Sequence, residues 1–138
     1  MKKAVFFDID GTLWNEHMQV PESTTEAIRE LRADGNYAFL CSGRSRSNIR
    51  SEKILGIGVD GIVAACGTHI EYEGKKVCER LLTPEEAEEL LRVIEAYHME
   101  AVLEGPHYIY ANGEDFKEDP FIQYLRSELG EDVREIRG

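Results

Sequence analysis

The chain has 138 residues, enough for one domain or for one and a fragment of another. Sixteen basic and 27 acidic residues leave a formal charge of −11, which argues against a nucleic-acid partner or an anionic membrane surface. Hydrophobic residues make up 42% of the chain, enough for a packed core. Asp8 cuts the apolar stretch that follows Met1-Lys2-Lys3 too early for a signal peptide or a membrane span, so a cytoplasmic location is expected.

In chain order, Val5-Phe6-Phe7 has the all-apolar character of a parallel strand covered on both faces. Asp8 and Asp10 follow it, flanking Ile9, and Gly11 turns the chain. Two carboxylates at the carboxyl end of a buried strand are costly unless a cation or a reaction uses them. A helix is predicted from Pro21-Glu22 through Arg32, with Ala27, Ile28 and Leu31 inward and Gly35 as its stop. Tyr37 to Cys41 reads as a second strand, reached by a right-handed crossover. Ser42-Gly43-Arg44 comes next: a hydroxyl, an open backbone N–H and a guanidinium, which together suit a phosphate oxyanion. Ser45 to Leu55 reads as a weaker helix whose N-terminus would add positive potential, and Val59 to Ala65 as a third buried strand. His69 to Tyr72 and Lys76 to Arg80 flank the turn Glu73-Gly74-Lys75 and form a hairpin signal.

After Leu82 the pattern changes. Thr83-Pro84-Glu85-Glu86 carries the marks of a capping box, followed by Ala87, Leu90, Leu91, Ile94 and Tyr97 at helical spacing. Ala101 to Leu103 and Tyr108 to Ala111 alternate as strands around Gly105-Pro106. A helix over Pro120 to Leu129, with Phe121, Ile122 and Leu125 inward, and a last strand from Val133 to Ile136 complete a separate α/β module. Cys41, Cys66 and Cys78 lack metal-ligand spacing and read as buried or free thiols, Cys66 as a buried structural one.

Asp8-Ile9-Asp10-Gly11-Thr12 resembles the first motif of the haloacid dehalogenase-like superfamily, and Ser42-Gly43-Arg44 resembles the second in the form typical of its Cof-like branch, which includes sucrose-phosphate phosphatase. The resemblance implies an α/β fold: a Rossmann-like parallel-sheet core, its first three strands within residues 1–82, and the first part of an inserted α/β cap over 83–138. It implies a magnesium-dependent phosphatase acting on a small phosphorylated metabolite such as a sugar phosphate. Asp8 would be the nucleophile and a Mg2+ ligand, and Asp10 the acid and base, with its main-chain carbonyl also on the metal. Thr12 would fix the motif loop, while Ser42 and Gly43 would hold phosphoryl oxygens. Arg44 is either a guanidinium facing the substrate or a solvated loop charge.

Two departures stand out. The family returns from the cap to the core with a lysine and a second acidic pair, and this return leg is absent here. Lys117 and Glu118-Asp119 fall inside the cap-like module and read as solvated surface charge. Cys66-Gly67-Thr68 replaces the Asn-Gly-Ala common after the third strand. The sequence therefore looks like the N-terminal part of a longer enzyme, or a remnant of one. Its first strand would be an open edge to be covered by self-association or by the missing C-terminal half. A receiver-like phosphoacceptor is disfavoured because the third strand ends in Ala65-Cys66 rather than in an aspartate. A catalytically incomplete phosphate-binding, metal-binding or assembly module is the remaining alternative.

Overall fold

The computed structural model describes residues 1–15, 17–111 and 118–136, and the chain divides into two compact units, Met1–Arg80 and Leu81–Gly138. The first unit holds one five-stranded sheet. Strands β1 (Ala4–Phe7), β2 (Tyr37–Cys41) and β3 (Gly61–Ala64) are parallel, and β4 (His69–Tyr72) and β5 (Lys75–Glu79) extend the sheet antiparallel, in spatial order β1 to β5. The hairpin turn uses positive φ at both Glu73 (48°) and Gly74 (71°), as the twist of a tight hairpin demands.

Helix α1 (Glu22–Ala33) links β1 to β2 and stops where Gly35, at φ 82°, donates its N–H to the Arg32 carbonyl. The second link is not the continuous helix that the sequence suggests from Ser45 to Leu55. It is a 3-10 turn at Arg46–Asn48 and a separate short helix α2 (Glu52–Leu55). The reason lies in its polar side chains. The Ser45 and Ser47 hydroxyls bond each other at 2.9 Å, Arg46 donates to the Ile49 carbonyl and Arg50 to the Ser47 carbonyl, which competes with helical pairing.

Two right-handed crossovers taken in the same direction across a sheet lay both connections on one face. That face carries the core, where Ala38, Leu40, Ile62 and Ala64 pack with Ile28, Ile54 and Ile57. On the other face Phe6 stacks on Phe39 (5.1 Å between ring centroids) and Phe39 on Tyr72 (5.9 Å). Phe39 lies so flat over Gly61 that a Cβ there would sit 2.5 Å from its ring. The expectation that β1 is covered on both faces therefore fails: Phe6 lies on the face away from α1 and α2 and is 56% exposed. Asp60, just before β3, ties three elements together. It accepts the Ala38 N–H at 2.8 Å, and both its oxygens take a fork from Arg32 on α1.

In the second unit, α3 (Pro84–Ala96) begins with the capping box. Thr83 accepts the Glu86 N–H, and the Glu86 carboxylate accepts the Thr83 N–H. A three-stranded sheet follows, β6 (Val102–Glu104) antiparallel to β7 (Ile109–Ala111) and β7 parallel to β8 (Val133–Glu135), with α4 (Pro120–Leu129) between β7 and β8. Ile109, Ala111, Ile122 and Leu125 are buried. Phe121 is 55% exposed rather than inward, although it lies only about 40° around the helix from the buried Leu125; its ring stacks instead on Tyr124, 6.4 Å between centroids. Of the apolar positions on α3, Ile94 is the buried one. Among the described residues no helix is long and apolar enough to cross a membrane.

Candidate active site

The parallel register sets Phe7 beside Leu40 and Leu40 beside Ile62, so the segments after β1, β2 and β3 leave the sheet at one edge. Ligands of open α/β sheets bind at that carboxyl edge. The loop after β1 is wound tightly: the N–H groups of Thr12, Leu13 and Trp14 converge on the Ile9 carbonyl at 3.3, 3.1 and 3.4 Å, and Gly11 turns at φ 73°. Ile9 and Leu13 are buried and pin the loop from below, while Asp8, Asp10 and Thr12 are exposed above it. The two carboxylates thus avoid the cost of burial inferred from the sequence, because the loop turns both out of the core.

Arg44 reaches Asp10 from the loop after β2. Its Nε and Nη2 donate to the two carboxylate oxygens at 2.8 Å each, and its guanidinium carbon lies 5.1 Å from the centre of the Trp14 ring. Trp14 Nε1 donates to Asp10 Oδ1 at 3.1 Å. The Arg44 hydrogen bonds hold the Asp10 carboxyl below its ordinary value. Partial burial opposes this, and Trp14 adds to the lowering. With 20% of its side chain exposed and both loops bridged, Arg44 is not a solvated loop charge.

Ser42 is 5% exposed, and its N–H bonds the Val63 carbonyl at 2.9 Å while its hydroxyl accepts the Arg44 N–H at 3.2 Å. Gly43 is exposed, and a Cβ there would meet only the Cys66 sulfur at 3.7 Å. Cys66 is exposed, not the buried thiol that the sequence suggests, and Cys41 is exposed as well. The cause is the backbone after β3: Ala65, Cys66 and Gly67 take successive φ of 49°, 53° and 93°, which swings Cys66 outward beside Gly43. Non-glycine residues in this region are uncommon and cluster at functional sites. The turn is tied down by Ala65 N–H to the Arg44 carbonyl (2.8 Å) and Cys66 N–H to the Ser42 carbonyl (3.3 Å).

The structure therefore joins Asp10 to Arg44 directly and sets Ser42 and Gly43 against Cys66, with Asp8 and Thr12 on the loop that holds Asp10. Trp14 joins this group without a motif to mark it; its one signal in the sequence is a position four residues after Asp10 in the apolar pair Leu13-Trp14. Asp8 and Asp10 offer hard oxygen donors of the kind magnesium prefers. Among the described residues, however, no group of three or more His, Cys, Asp or Glu converges on a metal position. Asp119 is occupied as the cap of α4, accepting the N–H groups of Phe121 and Ile122, and Glu118 is exposed. Lys117 lies outside the described residues.

A family model described as haloacid dehalogenase-like hydrolase matches residues 5–135. "Putative phosphatase YkrA" of Bacillus subtilis is 27% identical over 113 residues, which is 82% of this chain and 40% of that protein. A solved hypothetical protein from Geobacillus kaustophilus HTA426 superposes with a TM-score of 0.74 at 29% identity, covering 94% of this chain and 49% of the other. The subclass IIB sugar phosphatase BT4131 shares the fold, with a TM-score of 0.73 at 24% identity over 91% of this chain and 50% of its own. The chain thus spans half or less of the length of each of these relatives.

Proposed function

The chain belongs to the haloacid dehalogenase-like hydrolase family, and we propose that it carries the nucleophile half of a magnesium-dependent phosphomonoester hydrolase. In this reading residues 1–82 are the first half of the core and 83–138 the opening part of a cap. The observation that carries it is the meeting of the Asp8–Asp10 loop with Ser42-Gly43-Arg44 at one sheet edge, closed by the Arg44–Asp10 fork. Asp8 attacks phosphorus in line and takes the phosphoryl group, which splits one hydrolysis into two easier steps. Asp10 protonates the departing alkoxide, then takes a proton from the water that cleaves the aspartyl phosphate. To donate that proton, Asp10 must first be released from the Arg44 fork. Ser42 and the Gly43 N–H hold phosphoryl oxygens, and Thr12 fixes the loop.

Magnesium fits the hard donors Asp8 carboxylate and Asp10 main-chain carbonyl, and when bound it screens the carboxylate from the phosphate dianion. The substrate class that the branch resemblance supports is a small phosphorylated metabolite such as a sugar phosphate, met in the cytoplasm.

A second reading, a catalytically incomplete module, is favoured by one observation: among the described residues no further carboxylate joins Asp8 and Asp10. One experiment separates the two. Magnesium-dependent hydrolysis of a general phosphomonoester is measured on this chain and on a polypeptide that also contains the relatives' remaining length. Weak magnesium binding and near-background turnover are expected for this chain, with turnover restored in the longer one. Ordinary enzymatic rates from these 138 residues alone would mean that the second half is not needed, or that a partner chain supplies it.

A further inference from the structure

Trp14 takes no part in the chemistry proposed above, yet both loops of the site meet on it. Trp14 is only 8% exposed and packs in the core cluster with Ile9 and Leu13, so its indole N–H needs a partner close by. That partner is Asp10 Oδ1 at 3.1 Å, and a backbone bridge between Asp10 and Trp14 sets the two residues side by side. The ring face carries the Arg44 guanidinium at 5.1 Å, and Arg44 in turn grips both oxygens of Asp10. Each of the three side chains touches the other two.

The Asp10 side chain is 53% exposed, and a carboxylate on a surface loop rotates freely about its last bond. Here a donor anchored in the core fixes one oxygen, while the cation that holds both oxygens rests on the same ring. We propose that Trp14 is a positioning residue: its N–H orients the Asp10 carboxylate and its ring face seats Arg44, so the hydrophobic core sets the direction of the carboxylate. The consequence for catalysis rests on the reading of Asp10 as the proton-transfer group; the positioning itself does not. A ring that merely fills the core would give the same burial but would leave Asp10 insensitive to loss of the indole N–H.

The chain has one tryptophan, so its indole N–H gives a single resonance in a 1H–15N spectrum of the 138-residue protein. In D10A that resonance moves upfield and loses protection from hydrogen exchange, whereas D8N leaves it in place. W14F keeps an aromatic ring beneath Arg44 and removes the donor; in it the side-chain carboxyl 13C resonance of Asp10 moves and that of Asp8 stays. Should W14F fail to fold, R44M serves instead, shifting the indole ring resonances while the N–H stays protected by Asp10. An indole resonance unchanged in both position and protection by D10A, or an Asp10 carboxyl unmoved in folded W14F, overturns the proposal. None of these measurements reads hydrolysis, so either this inference or the phosphatase reading can fail without the other.

Discussion

Arg44 holds both carboxylate oxygens of Asp10 at 2.8 Å, joining the loop after β1 to the loop after β2. Such a fork favours the ionised carboxylate. The Asp10 carboxyl is accordingly held below its ordinary value, chiefly by the Arg44 hydrogen bonds. In R44M its titration, followed by carboxyl 13C NMR, should move up towards that value. An Asp10 titration identical in both proteins would show that the fork is not maintained in solution.

Arg32 and Asp60 make the second forked pair, at 2.7 to 3.1 Å, with the Ala38 N–H as a third donor to Asp60. The Asp60 carboxyl is lowered in the folded state, first by the Arg32 hydrogen bonds. A depressed folded value gives stability that is present above the unfolded pKa and lost as pH falls through the folded one. Acid should therefore weaken the wild type below about pH 4, the unfolded range of an aspartate, by an increment that D60N lacks. At neutral pH D60N should cost about 1–2 kcal/mol, at the low end for a charged hydrogen bond because the arginine side chain is 40% exposed. Urea unfolding at both pH values measures the difference, and parallel losses in the two proteins would contradict it.

Gly43 has no positive φ, and a Cβ on it would make only an ordinary 3.7 Å contact with the Cys66 sulfur. G43A should fold with a stability within roughly 0.5 kcal/mol of wild type. In a complete enzyme it should nevertheless raise KM for a phosphomonoester, if the Gly43 N–H holds a phosphoryl oxygen as proposed, because a methyl would crowd the approach to that N–H. Thermal unfolding and steady-state kinetics check the two halves, and an unchanged KM would remove Gly43 from the phosphate site.

What could be read from the sequence depended on the range over which each signal acts. The capping box at Thr83 and Glu86, the stop at Gly35 and the turn at Glu73-Gly74 are local, and they stand where the residues predict. The two motifs were legible because a strand, a glycine turn and a polar residue follow one another directly. Four things were not. The exposure of Phe6 depends on both crossovers packing on the other face of the sheet, a property of the topology rather than of the strand itself. Ser45 to Leu55 fails as one helix because its serines and arginines bond backbone and one another. Cys66 is exposed because three successive positive φ values turn it out, and the Asp10–Arg44–Trp14 contacts join residues up to 34 apart.

Among the described residues the outer edge of β1, with a groove of about 390 Å³ beside it lined by Val5, Phe7, Ala27 and Leu31 among others, has no neighbouring strand. We propose that its occupant is polypeptide equivalent to the relatives' remaining length, which would add a strand to β1. With that polypeptide supplied in trans, the outward amides of Ala4 to Phe7 should gain protection from hydrogen exchange. Alone, the chain should sediment as more than a monomer. A well-behaved monomer whose β1 amides stay unprotected in the presence of the second half would refute this.

In the proposed reaction Asp8 takes the phosphoryl group and Asp10 clears it. In a polypeptide containing the relatives' remaining length, D10N should form the acyl phosphate slowly, for want of the leaving-group acid, and then accumulate it, because an amide cannot activate the hydrolytic water, while D8N should lose turnover by on the order of a thousandfold or more. The direct measurement is mass spectrometry of D10N incubated with magnesium and a phosphomonoester, then reduced with borohydride to mark the acyl phosphate in the peptide Ala4 to Leu13. The mark should fall on Asp8 and be absent from the D8N/D10N double variant. A mark on another residue, or turnover retained by D8N, would contradict it.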